Sequence, residues 1–259
     1  MMRLARDPLA LVVASGKGGT GKSVLSVLLA DALARAGHDT LLVDADLNLA
    51  NLHVLLGVRP AGRLDQLLAG EMEAGALVRP VREGLALLAG DTGNEQLHGL
   101  DALARARLMA RLTDAWAGHD AVVVDAGAGL DAALRVAALG ASRLVVVTAP
   151  EPTALTDAYA LLKVVTGQLP GLPLDVLVNR ALDDDEGRAA YERLAAAAER
   201  FLRRGLRYLG TVPEDDAVRR AVRAPRQFLA LAAAGRAGEA VRQLVTTRLG
   251  CPEPAGSAA

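Results

Sequence analysis

The sequence predicts an α/β fold: a doubly wound, mostly parallel sheet with helices on both faces. Three observations carry this. Short apolar runs without polar alternation recur at residues 9–14, 40–43, 85–88, 121–124, 143–147, 174–178 and 207–210, as expected of strands covered on both sides. Between them lie Ala-, Leu- and Arg-rich stretches of helical length and period, at 21–36, 100–117, 153–169 and 186–204. Glycine and proline punctuate the joins without ever forming a linker. Repeated strand–helix alternation calls for a parallel sheet with right-handed crossovers. Residues 1–250 therefore read as one domain and 251–259 as a loose polar tail.

The first strand, 9–14, feeds the segment Ser15-Gly16-Lys17-Gly18-Gly19-Thr20-Gly21-Lys22-Ser23, and a helix rich in Leu, Val and Ala follows. This matches G-x-x-x-x-G-K-[ST] in the strand-then-helix context that the motif requires. Glycines let backbone N–H groups close around phosphate oxygens, and the helix N-terminus adds the positive end of its dipole. Gly18, Gly19, Thr20 and Gly21 form the cradle. Lys22 is expected on the β- and γ-phosphates, with the Ser23 hydroxyl on Mg²⁺. The lysine usage sharpens the reading. Of 29 basic residues only Lys17, Lys22 and Lys163 are lysines, so two of the three sit in this loop, where a compact point charge has a use.

The second strand ends in Asp44-Ala45-Asp46, at the sheet edge where doubly wound folds bind ligands. Alternation turns both carboxylates to one side, so both can address one Mg²⁺–water–phosphate assembly. A second reading stays open, in which they cap the segment 47–56, with Asp46 as an N-cap. The strand 121–124 runs into Asp125-Ala126-Gly127. A carboxylate there can hold Mg²⁺ through its water shell, and Gly127 can bring a backbone N–H to the γ-phosphate. The later strands, 174–178 and 207–210, lead to Asn179 and to Pro213. His38, His53, His98 and His119 show no metal-ligand spacing and receive no chemistry.

The composition excludes other classes. One cysteine, Cys251, rules out a disulfide framework or a cysteine-ligated metal or cluster within one chain. The formal charge of −1 predicts no bulk attraction to nucleic acid, and no apolar run reaches the ~18 residues of a membrane span. Nothing resembles a cleaved leader, and the expected location is cytoplasmic.

Lys17-Gly18-Gly19-Thr20-Gly21-Lys22-Ser23 resembles the K-G-G-x-x-G-K-[ST] of the MinD/ParA-type deviant Walker A ATPases, P-loop NTPases of MinD-like fold. The resemblance runs from about residue 9 to 249. Residues 43–57 are similar to the switch I segment of MinD and of the flagellar number regulator FlhG (FleN). Asp125-Ala126-Gly127-Ala128-Gly129 and the T-A-P-E-P-T-A-L-T-D-A-Y-A-L-L-K run at 148–163 look like the flagellar branch. Val178-Asn179-Arg180 and Leu209-Gly210-Thr211-Val212-Pro213 match two further family segments.

The resemblance implies slow hydrolysis of ATP with Mg²⁺ and an ATP-sandwich homodimer that regulates flagellar number or placement. It assigns Lys17 to the partner's nucleotide, Asp46 to hydrolysis, Asn179 to adenine and Pro213 to the neighbourhood of the base. The implied partners are flagellar assembly or regulatory proteins. Only residues 1–8 precede the first strand, so the N-terminal activating extension of some flagellar members is not carried over. Residues 235–249 read as a core helix with a narrow apolar stripe, so any membrane contact is expected to be weak or made through a partner. The alternative function is a ParA/MinD-like positioning of another cargo on nucleoid or membrane. Eight arginines between residues 200 and 226 would serve nucleic acid, but a solvated helix face is favoured. A relative of the nitrogenase iron protein would need cysteine pairs that are absent.

Overall fold

The computed structural model describes residues 8–46, 50–90, 100–127, 129, 136–138 and 140–249. The expected tail 251–259, with Cys251, lies outside the described residues, as do His98, residues 47–49 of the switch-like segment and Ala128.

Eight strands form one sheet. β1 (Leu9–Ala14), β2 (Thr40–Ala45), β4 (Leu85–Leu88), β5 (Ala121–Ala126), β6 (Arg143–Thr148), β7 (Leu174–Ala181) and β8 (Arg207–Pro213) are parallel. β3 (Val78–Arg82) pairs antiparallel with β4 at one end, and the order is β3-β4-β2-β5-β1-β6-β7-β8. All seven expected strands are present. Four of them, β2, β5, β7 and β8, run two or three residues further than their apolar runs, and those added ends carry Asp44, Asp125, Asn179 and Pro213.

β3 was not expected. Arg79, Pro80 and Arg82 interrupt its apolar character, which only an edge strand tolerates, and its register shifts between Pro80 and Arg82.

The helices are α1 (Lys22–Arg35), α2 (Leu52–Leu56), α3 (Leu64–Ala69), α4 (Ala102–Thr113), α5 (Pro152–Gln168), α6 (Asp184–Leu202), α7 (Asp216–Val222), α8 (Phe228–Ala233) and α9 (Arg236–Arg248). Strand residues alternate between two cores. Val12, Val43 and Val124 face α4, α5 and α6 with Leu108, Leu161 and Leu194, while Leu11, Leu42 and Val123 face α1, α8 and α9 with Leu29, Phe228 and Val241. The expected docking of α9 is what the structure has: Ala237, Val241 and Val245 are buried, and Leu244 and Leu249 pack beside them. No helix among the described residues is long and apolar enough to cross a membrane.

One ion cluster fixes the far end of α1. Asp31 is buried, accepts from Arg35 Nε and from Arg82 Nε at 2.7 Å each, and its carbonyl accepts from Arg82 Nη2 at 2.9 Å. Arg82 belongs to the β3–β4 hairpin, so the sheet edge and the last two turns of α1 are tied together. A second cluster lies at the start of β7 and β8, where the fully buried Asp175 accepts from Arg207 at 2.7 and 2.6 Å and from Arg143 at 3.3 Å.

Candidate nucleotide site

The C-terminal ends of β1, β2, β5, β7 and β8 gather the expected residues at one edge of the sheet. Residues 15–21 turn from β1 into α1, and two neighbours mould that turn. A Cβ at Gly16 would stand 2.1 Å from the backbone oxygen of Asp157 on α5, so the loop presses against that helix with no room for a side chain. Gly21, at φ 87°, occupies a conformation that L side chains rarely adopt, and a Cβ there would lie 2.3 Å from Asn179 Nδ2. Ser15 Oγ donates to the Lys17 carbonyl at 2.8 Å. Gly18 and Gly19 are exposed, whereas Thr20 is buried with a hydroxyl that has no hydrogen-bond partner.

Lys22 opens α1 and is buried. Its Nζ donates to Asp125 Oδ1 at 2.6 Å, and the Ser26 hydroxyl donates to the same oxygen at 3.1 Å. Ser23 is half-buried one residue further on. Asp44 lies in register with Asp125 on the neighbouring strand, so two buried carboxylates sit side by side. Burial pushes the Asp44 carboxyl up to about 7; the Leu52 N–H works against this, and the Asp125 charge adds to the rise. Gly127 is buried immediately past β5, two residues beyond Asp125.

Asp44 also has local partners. Its Oδ2 accepts from the N–H groups of Asn51 and Leu52 at 2.9 Å each, and its Oδ1 accepts from Asp46 N–H at 3.2 Å. Asp44 thus caps the start of α2 and holds the backbone of Asp46, which is half-buried. Of the two readings of this acidic pair, capping describes what Asp44 does here, although Asp46 was the expected cap. Nothing in this arrangement removes Asp44 from the phosphate end of the site.

At the end where the base is expected, a cleft of about 230 Å³ lies between α1, β7 and β8, lined by Gly21, Val24, Leu28, Asn179, Val212 and Pro213 among others. Asn179 is buried and its Nδ2 donates to the Thr20 carbonyl at 2.8 Å, joining the base end to the phosphate loop. Arg180 and Glu214 border the cleft and pair at 2.8 Å, and Glu214 reaches Arg219 at 3.3 Å. Asn179→Ala should weaken ATP binding about tenfold, since it removes the loop contact and a polar group from the cleft. Titration calorimetry checks this; unchanged affinity would exclude Asn179 from the site.

Lys17 stands apart. It lies on the outer side of the loop, with Nζ donating to the Thr153 hydroxyl at 3.0 Å. Ser26 and Glu214 escaped the sequence reading, and Thr153 and Arg180 entered it only within motifs, without a role. Thr153 falls in the 148–163 segment, yet nothing there marks it as a lysine's partner, and Ser26 meets Asp125 across 99 residues.

The Ser23 hydroxyl and the Asp125 and Asp44 carboxylates are hard oxygen donors suited to Mg²⁺. Among the described residues no group of three or more His, Cys, Asp or Glu could hold a metal. That sparse set fits Mg²⁺, which takes one or two protein oxygens and fills its shell with water and phosphate.

Residues 11–225 match the CobQ/CobB/MinD/ParA nucleotide binding domain. The chain is 35% identical to the antiactivator FleN of Pseudomonas aeruginosa, over 83% of this chain and 77% of that protein. It is 34% identical to the flagellum site-determining protein YlxH of Helicobacter pylori, over 82% and 72%. The solved structure of the septum site-determining protein MinD with Mg-ADP from Pyrococcus horikoshii superimposes with a TM-score of 0.76 at 25% identity, covering 95% of this chain and 98% of that one. With a P-loop on a MinD-like sheet and flagellar proteins among its relatives, the chain belongs to the MinD/ParA family of ATP-binding proteins.

Proposed function

We propose that the chain is a slow, Mg²⁺-dependent ATPase whose ATP-bound homodimer is a switch regulating flagellar number or placement. The observation that carries the enzymatic part is the buried Lys22–Asp125 pair at the mouth of the phosphate loop. A cation and a carboxylate held 2.6 Å apart are ready to part, the lysine toward phosphate and the carboxylate toward a hydrated metal. The flagellar part rests on the similarity to FleN and YlxH.

In this mechanism the loop N–H groups and Lys22 hold the phosphates, and Asn179 and Pro213 flank the base. Ser23 and Asp125, with Asp44 nearby, would hold Mg²⁺, which would supply charge neutralisation at the phosphates. Asp46 orients the attacking water, and the N–H of Gly127 senses the γ-phosphate. Lys17 leaves Thr153 and stabilises the transferring charge on the partner's nucleotide. The dimer is the output state, and hydrolysis is its timer.

A nucleic-acid function has less support. Of the eight arginines between 200 and 226, Arg204 is committed to the Pro170 and Leu172 carbonyls and Arg207 to Asp175, while Arg219 meets Glu214 and Asp216. The location proposed is cytoplasmic, with any membrane recruitment made through a partner.

Lys17→Ala tests the switch. Nucleotide affinity of the monomer should stay within about threefold of the parent, because the Lys17 side chain is turned to Thr153 on α5. ATP-dependent dimerisation and turnover should be lost. Light scattering with Mg-ATP decides; a variant that still dimerises and hydrolyses like the parent rejects the sandwich.

A further inference from the structure

The chain leaves β8 through Glu214 and Asp215, beside the cleft expected to take the base, and four elements meet there. Asp215 is half-buried, and its two carboxylate oxygens serve two different helices. Oδ1 accepts from the N–H of Ala217 at 2.7 Å and caps α7, while Oδ2 accepts from the N–H of Ala237 at 2.9 Å in the first turn of α9. Both helix N-termini thus present N–H groups and the positive ends of their dipoles to one negative charge.

The start of α9 explains why its cap comes from 22 residues away. Its own N-cap position is Gly235, which has no side chain to offer. The glycine also makes room. A Cβ there would stand 2.2 Å from Asp215 Oδ2 and 2.7 Å from Ala217 Cβ. Gly235 lies at φ −84°, so what the position requires is space and not an unusual backbone.

Neighbouring contacts complete the junction. The Glu214 N–H donates to the Ala181 carbonyl at 3.0 Å, and the Glu214 carbonyl accepts from Arg236 Nη2 at 2.8 Å. β7, β8, α7 and α9 are therefore tied together at residues 214–215, immediately past Pro213. The cleft is built from the same parts. Val218 and Arg219 of α7 and Ala237 of α9 line it along with Pro213.

We infer that Asp215 is a positioning residue for the nucleotide base: by capping α7 and α9 at once, it sets the spacing of these helices around Pro213 and so the shape of the cleft. The inference rests on the reading of this cleft as the adenine end of the site. Asp215 borders the cleft, but its oxygens are turned to the helix N–H groups, so it acts through the walls. Without the carboxylate, the first turn of α9 loses its cap and the cleft keeps its lining residues but not their spacing.

Calorimetry and hydrogen exchange on the full chain with Mg-ATP test this. In the parent, ATP should slow exchange both in the phosphate loop, residues 15–23, and around the cleft, residues 212–219 and 237. Asp215→Ala should bind ATP about tenfold more weakly. At saturating ATP it should keep the loop protection and lose the cleft protection, a split that general destabilisation would not produce. Asp215→Asn should fall between parent and alanine variant, because its single acceptor oxygen can cap one helix only. Gly235→Ala should reproduce the Asp215→Ala pattern from the other side, since its methyl group displaces the carboxylate while every lining residue stays in place. If ATP protects only the loop in the parent, the base lies elsewhere, and the cleft reading falls together with this inference. If the parent shows both protections, two results overturn the inference alone: parental ATP affinity in Asp215→Ala, or equal loss of loop and cleft protection.

Discussion

Lys22→Ala should abolish ATP binding and also destabilise the nucleotide-free protein. The first effect follows from the loss of the loop's buried cation, and affinity should fall at least about 100-fold. The second follows from what Lys22 does without nucleotide. Asp125 is buried beside Asp44, and the Lys22 ammonium at 2.6 Å compensates it. Truncating one partner of a buried pair leaves an uncompensated charge and costs about 3–5 kcal/mol. In a chain of this size that corresponds to a fall in Tm of roughly 10 °C. Adding Asp125→Asn to the variant should restore most of the stability without restoring ATP binding, which separates the two roles. Calorimetry measures both. Parental ATP affinity in Lys22→Ala would reject the phosphate-loop role, and an unchanged Tm would mean that Lys22 does not compensate the buried Asp125 charge.

Asp46→Ala should have the opposite outcome from Lys17→Ala. The group proposed to orient water is removed, while Lys22, Ser23 and Asp125 remain. Phosphate release should fall about 100- to 1,000-fold, ATP should still bind, and the dimer should accumulate in size exclusion with Mg-ATP. Turnover at the parental rate would move the role elsewhere, with Asp44 the first residue to test. The two aspartates are separable because their surroundings differ. Asp44 is buried under three backbone N–H groups and holds the loop, whereas Asp46 is half-buried.

The fold was legible wherever one physical signal dominated. Mostly apolar runs marked the seven parallel strands because burial on both faces leaves few positions for polar residues; Asp175 is buried in β7 with Arg207 and Arg143 paired to it. β3 was invisible because its edge position permits Arg79, Pro80 and Arg82. The short helices α2, α3, α7 and α8 carry too few turns for a period to emerge. In the site, the loop was readable because its chemistry is contiguous. Contacts that join distant residues were not: Lys22 meets Asp125 across 103 positions and Asn179 meets Thr20 across 159. Sequence order places these residues on strand ends but does not say which of them touch. The capping role of Asp44 was half legible. The acidic pair suggested a cap, but which carboxylate serves depends on where the chain folds back at Asn51 and Leu52.

α1 carries Lys22 and Ser23 at one end and Asp31 and Arg35 at the other, and the second end is bolted to the β3–β4 hairpin through Arg82. A helix anchored in this way behaves as a strut. When phosphates fill the loop, α1 cannot slide along the sheet to follow them, because any axial shift would strip the buried Asp31 of Arg82 and leave it only Arg35 of its own helix. The work of binding is then directed into a part that can yield, the Lys17 side chain. In the proposed dimer, that side chain is what a partner protomer would meet. Cutting the bolt with Arg82→Ala should therefore leave the loop's chemistry in place and uncouple it: ATP would bind, and less of that binding energy would reach the surface.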